Sequence, residues 1–207
     1  MNKRKLDLAK EQFLELYPLG FDDPRMEEIR KKHKPFRMRE EAEEIFRPDA
    51  FGKPAELLEN TVRLVTRSSM VSVFEKPRFR DLVRSLNGDE KELFAHGMRE
   101  LLHGNRQFGF DTLLDLLSYY KLAKWTLLTI CPYYFKPTEE VFIKPTTAKS
   151  AIEYFELKDL HYSARPSFEF YEAYRKRIGE LMVYVDVTDD FAAFGGFIMI
   201  TTGLMKV

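Results

Sequence analysis

Prolines cut this sequence into short lengths, and between them the apolar residues recur at the helical interval. A proline has no amide hydrogen for a helix interior and clashes with the preceding turn, so it favours the first turn of a helix or the residues just past its end. Leu6, Ala9, Phe13, Leu16 and Tyr17 share one helical face, and Pro18 with Gly20 closes that element. Pro24 opens a short charged helix predicted to reach about Lys34, where Pro35 breaks it. A third helix is predicted through Glu40–Phe46, before Pro48. Pro54 then opens a fourth, with Leu57, Leu58, Val62, Leu64 and Val65 as its apolar stripe.

Beyond Pro77 the pattern tightens. A helix over Phe79–Leu86 is predicted to stop at Asn87-Gly88, with Asp89 as N-cap of the next, whose stripe is Phe94, Met98, Leu101 and Leu102. Asp111 is read as the cap of a helix bearing Leu113, Leu114, Leu116, Leu117 and Tyr120. Lys121–Cys131 continues as an apolar helix that Pro132 stops. A short extended piece at 141–143 precedes Pro145 and a helix over Thr147–Phe155, and an amphipathic helix spans Pro166–Met182. Val183–Val187 alternates as a strand does, whereas Asp189 or Asp190 suits the cap of a helix carrying Phe191, Phe194, Ile198 and Met199. The expected fold is all-α or nearly so: a multi-helix globular bundle with an extended segment near 141–143. Residues 1–70 form an N-terminal helical subdomain or arm, and 71–207 the main helical domain.

Two hundred and seven residues suffice to bury a core without cross-links. With 33 basic and 33 acidic side chains the net charge is zero, which argues against a dedicated, charge-driven nucleic-acid binder but allows a local patch. The single cysteine, Cys131, excludes an intramolecular disulfide and a cysteine-based zinc site, and at an apolar helix end it reads as a buried, inert thiol. Asp7, Lys10 and Glu11 interrupt what would be the apolar part of a signal segment, and Phe191–Met205 is too short to cross a bilayer. A soluble, cytoplasmic chain with no membrane partner is expected.

No Gly-x-Gly, Walker loop, His-Glu-x-x-His, Gly-x-Ser-x-Gly or EF-hand loop occurs, so no motif names a reaction. Glu92, His96, Glu100 and His103 fall on one helical face, and Glu100-x-x-His103 has di-iron spacing, but the chain has no second such pair. That face lies away from the apolar stripe and reads as solvated; no metal or cofactor is expected. The run from Arg30 to Arg39 holds six Arg or Lys in ten residues with no acid among them. Arg30, Lys31, Lys32, Lys34, Arg37 and Arg39 are therefore candidate anion contacts, although Glu40, Glu41, Glu43 and Glu44 follow closely enough to neutralise them. A second candidate is the helix start at Lys144, Thr146, Thr147 and Lys149, where backbone amides and the helix dipole favour an anion; simple capping is the plainer account. Trp125, Tyr133 and Tyr134 are candidate groove residues among interleaved basic side chains, and their leucine neighbours equally suit a core.

Several of these residues also carry a resemblance. Trp125, Thr129, Pro132-Tyr133, Pro137, Phe142, Lys144-Pro145 and Lys149 resemble the pattern of an uncharacterised bacterial protein family. Downstream, Tyr162, Pro166 and Tyr171 fit the same pattern, with Phe168 where a Trp is expected. The resemblance implies an intact domain and supplies no activity. The helical layout is also distantly similar to helix-hairpin-helix DNA glycosylases, but the chain lacks their Gly-x-Gly hairpin and the aspartate that follows it.

Three functions follow as expectations. The first is a helical binding module for an anionic or nucleic-acid partner. The second is a structural or assembly protein, homo-oligomeric through the apolar segment Phe191–Met205. The third is a glycosylase-like enzyme with a cleft near Lys144, Tyr133 and Asp111 or Asp115.

Overall fold

Residues 1–204 are described by the computed structural model, and they form eleven α-helices with no strand among them. In chain order these are α1 (Lys3–Leu16), α2 (Glu27–His33), α3 (Pro35–Ile45), α4 (Pro54–Arg67), α5 (Glu75–Ser85), α6 (Gly88–His103), α7 (Arg106–Tyr119), α8 (Trp125–Phe135), α9 (Pro145–Tyr154), α10 (Phe168–Val185) and α11 (Phe191–Thr201). Short 3-10 turns at Gly20–Asp22, Pro24–Met26 and Pro48–Gly52 fill the proline-rich gaps. The all-α expectation stands. Residues 141–143 belong to no strand; they are buried chain leading into α9.

Several boundaries differ from those the sequence suggests, each for a local reason. Asn87, not Asp89, caps α6: its side chain accepts from Glu90 N–H while the Glu90 carboxylate accepts from Asn87 N–H, a reciprocal capping box. Asn105 caps α7, leaving Asp111 inside that helix. Pro35 does not merely end α2; it is the first residue of α3, after Lys34 turns the chain with φ 48°. The Val183–Val187 alternation is no strand, because α10 continues to Val185 and ends at Asp186 with φ 54°. The tail is helical from Phe191, with Asp190 accepting from the Ala192 and Ala193 amides.

The largest correction concerns α8. Lys121 is not its start: Leu122 N–H bonds Leu117 O across a left-handed Lys121, which ends α7 in a Schellman motif. Pro132 does not end α8 either, for the helix runs through it to Phe135. Losing one amide donor there is outweighed by packing, since every residue from Trp125 to Tyr134 is buried. α8 is thus an axial helix that α3, α4 and α7 pack around.

One continuous apolar core runs from Leu6 in α1 to Ile200 in α11. The closest helix pairing is the α6–α7 hairpin. A Cβ on Gly109 would lie 2.5 Å from Gly97 O and 2.7 Å from Leu101 Cα, so only glycine allows the two backbones this approach. The expected boundary near residue 70 falls between α4 and α5, which pack on each other. At the far end α11 lies against α1, α9 and α10, with Phe191, Phe194, Phe197, Ile198 and Ile200 buried. Burial inside the chain's own core removes the motive for reading this segment as an interface; Met205 lies outside the described residues. No described helix is long and apolar enough to cross a membrane.

Candidate anion-binding corner

The basic run of residues 30–39 divides at the left-handed Lys34 into the end of α2 and the start of α3. Helical geometry then gives most of its cations a carboxylate one turn away. Arg30 pairs with Glu27 at 3.1 Å and also donates to Phe21 O, and Lys31 lies 3.8 Å from Glu28. Arg37 pairs with Glu41 at 2.9 Å and Arg39 with Glu43 at 2.8 Å; Glu41 further holds Arg67 of α4. Lys32 and Lys34 are exposed and have no ion-pair partner among the described residues. The expected six-residue patch therefore contracts to two free lysines at one corner.

Three segments meet there. His33, at the end of α2, has Nδ1 2.8 Å from Oγ of Ser69, just past the end of α4. The neighbouring Ser68 hydroxyl is 2.8 Å from the Tyr134 hydroxyl of α8. Burial, then the charges of Lys32 and of Lys144, hold the His33 imidazole below its ordinary value. Two basic groups more than a hundred residues apart in sequence thus act on one side chain. Lys144 has no ion-pair partner among the described residues.

The start of α9 carries free amide groups of its own. Lys144 precedes the helix, makes no side-chain cap, and accepts the first helical bond, from Ala148 N–H. Pro145 brings no donor, so the amides of Thr146 and Thr147 are left without helical partners. Thr146 is exposed. Thr147 is 7% exposed, and its Oγ1 is buried with no hydrogen-bond partner. Lys149 turns away, its ammonium 5.1 Å over the Tyr162 ring.

The groove candidates lie elsewhere. Trp125, Tyr133 and Tyr134 are 2%, 6% and 6% exposed, and all three sit within α8. The Trp125 indole donates to Ser163 O at 2.7 Å. They are core residues, because the helix that was expected to release the tyrosines at Pro132 carries them inward instead. Cys131 beside them is buried, its thiol pushed up to about 12 by burial. The enzyme reading loses its cleft as well: Tyr133 is enclosed, Asp115 is exposed, and Asp111 faces Glu169 across α7 and α10.

The Glu92–His103 face lines two adjoining shallow clefts of about 270 and 170 Å³ against the Pro48–Gly52 turn. Two of its side chains serve local structure: His103 Nε2 meets Phe46 O at 2.7 Å, and Glu100 accepts from Asn105 N–H at 2.9 Å. Glu92 and His96 are exposed, and no group of metal-ligating side chains comes together among the described residues.

Sequence reasoning missed one cluster altogether. Glu140 is 3% exposed and accepts from the Tyr171 hydroxyl at 2.5 Å and from Arg106 at 2.9 Å. Arg106 also pairs with Glu172, which pairs with Arg175. Burial raises the Glu140 carboxyl, against the opposing hydrogen bond and charges. The cluster fastens the segment after α8 to α7 and α10, and Ile143 N–H bonded to Thr129 Oγ1 fastens it to α8. Lys144 is thereby delivered to the corner on anchored chain. The available signal was slight: a carboxylate immediately before the apolar residues Val141, Phe142 and Ile143.

The fold and this corner define an all-α protein with unpaired lysines near a junction of three segments. No protein family, no curated protein and no solved structure matches the chain.

Proposed function

We propose that this protein is a helical binding module for an anionic partner, held by the unpaired lysines Lys32, Lys34 and Lys144. What carries the reading is that Lys32, Lys34 and Lys144 have no ion-pair partner among the described residues, with Lys144 preceding the uncapped first turn of α9; the charges of Lys32 and Lys144 both act on His33. A broad nucleic-acid track fits the charges less well, since Arg30, Lys31, Arg37 and Arg39 are occupied by neighbouring carboxylates.

The test is a set of binding isotherms against inorganic phosphate and a single-stranded oligonucleotide, at low and at high salt. Binding to at least one should weaken with salt and fall about tenfold in the K32Q/K144Q double variant, as expected for lost charge-assisted contacts. R39Q, whose charge is already paired, should change little. Absence of any anion binding at low salt ends this reading.

A further inference from the structure

We infer that the surface where the start of α5 meets the break between α7 and α8 is a docking face for an anionic lipid bilayer, with Val73 and Phe74 entering the apolar edge of the membrane and basic side chains meeting its headgroups. The inference goes beyond the anion-binding reading and rests on other residues. Of the five most exposed large apolar side chains among the described residues, three belong to this surface: Val73, Phe74 and Tyr119. Val73 and Phe74 are adjacent in sequence, at 71% and 79%. Single exposed apolar residues are ordinary on any protein, but a consecutive pair in a closed turn calls for a reason.

The turn that carries the pair is well tied. Val71 is buried, Ser72 O accepts from the amides of Glu75 and Lys76, and Ser72 Oγ accepts from Phe74 N–H at 3.2 Å. The Glu75 carboxylate accepts from the Thr126 hydroxyl at 2.9 Å, which fastens the turn to the first residues of α8. One helical turn beyond Phe74, Arg78 donates to Lys121 O at 3.4 Å, in the break between α7 and α8. These two side-chain bonds set residues 73–78 beside residues 119–126.

Charge selects the occupant. Residues 73–78 and 121–126 hold Lys76, Arg78, Lys121 and Lys124 against one carboxylate, Glu75. None of the four cations has an ion-pair partner among the described residues, and Arg78, Lys121 and Lys124 are exposed. An apolar pair beside unpaired cations suits the headgroup layer of an anionic membrane, where the apolar side chains leave water and the cations stay at the charged surface. Tyrosine favours the same interfacial depth. Single-stranded nucleic acid would use the cations and the ring faces of Phe74 and Tyr119, but it would leave Val73, which has no ring to stack on, in water. No described helix can cross a bilayer, and lying on one requires none to do so.

The experiment is sedimentation of the full chain with vesicles of phosphatidylcholine alone and of an equal mixture of phosphatidylcholine and phosphatidylserine, at low and high salt. A single-stranded oligonucleotide is titrated in parallel. Expected is binding to the mixed vesicles that weakens with salt, and little binding to the neutral ones. V73S/F74S should weaken it at least about tenfold, and both side chains lie in solvent, so their replacement spares the core. K121Q/K124Q should weaken it about thirtyfold, the weight of two charges at a lipid surface. F74W should emit at shorter wavelength on the mixed vesicles and be quenched by brominated lipid, whereas Trp125, buried in α8, is not. Val183, also 79% exposed but next to Tyr184, whose hydroxyl donates to Asp7, is the control: V183S should bind as the parent does. No binding to the mixed vesicles at low salt overturns the inference, as does binding that V73S/F74S leaves unchanged. Oligonucleotide binding that V73S/F74S abolishes, without vesicle binding, gives the surface to nucleic acid instead.

Discussion

His33 shows how one side chain reports on its surroundings. Burial opposes the charged imidazole, and Lys32 and Lys144 oppose it further, so the folded ring takes its proton at a pH below the ordinary 6.5. The sign for stability follows. Between those two values the unfolded chain binds the proton and the folded chain does not, so stability falls as pH drops through 6.5 and goes on falling to the folded value. The charges that act on the ring are Lys32, beside it in sequence, and Lys144, which precedes α9. A bound anion reverses the penalty by favouring the imidazolium. The ring proton signals of His33 should therefore titrate below 6.5 alone and move to higher pH in sulfate, an anion whose charge is constant over that range. A midpoint at or above 6.5 that sulfate leaves in place would mean that the lysines do not act on this ring. The basic residues were legible in the sequence, but not which remain free. That depends on Glu27, Glu41 and Glu43 lying one turn away, and on a fold that brings residue 144 to residue 33.

Helix interiors were readable because apolar spacing is a local property, and helix ends were less so. Gly20 and Gly203 turn the chain through left-handed conformations, but at four other such positions the residue is Lys34, Lys121, Glu156 or Asp186. Glycine is the usual occupant of that position and the usual written signal for it. With Lys121 in its place, the break between α7 and α8 merged into one long apolar run. The same substitution gives a test: K121G should stabilise the protein by about 1 kcal/mol, since glycine carries no Cβ penalty in this conformation. Denaturant midpoints compare the two chains directly, and a loss of stability would mean that the Lys121 side chain contributes more than its strain costs. The opposite case is Gly109, in a helix interior where alanine is intrinsically better. Here tertiary contact reverses the propensity, because a methyl group would strike the α6 backbone at Gly97 and Leu101. G109A should cost about 3 kcal/mol by prying the α6–α7 hairpin apart. If G109A were neutral, the helices could not be packed this closely.

The apolar tail shows where local reading stops. From sequence, Phe191–Met205 is equally a buried helix and an exposed face waiting for a partner, since both demand an uninterrupted apolar run. What decides is the opposite end of the chain. Phe197 meets the Phe13 ring edge-on at 5.3 Å and stacks on Phe194 at 5.1 Å, so α1 supplies the surface that α11 covers. Residues nearly the full chain length apart close one core, and no local pattern encodes that contact. The same holds for Trp125, Tyr133 and Tyr134, whose burial depends on helices α3, α4 and α7 around α8. Phe197 is fully buried, and F197A should destabilise the fold by about 3–5 kcal/mol through lost burial and the cavity left behind. The informative measurement is urea unfolding at several protein concentrations. Burial within one chain predicts a loss that is the same at every concentration, because no subunit association enters the equilibrium. An interface residue would instead make the loss depend on concentration by mass action. A concentration-dependent midpoint that disappears in F197A would return α11 to the surface and make a second copy of the chain its partner.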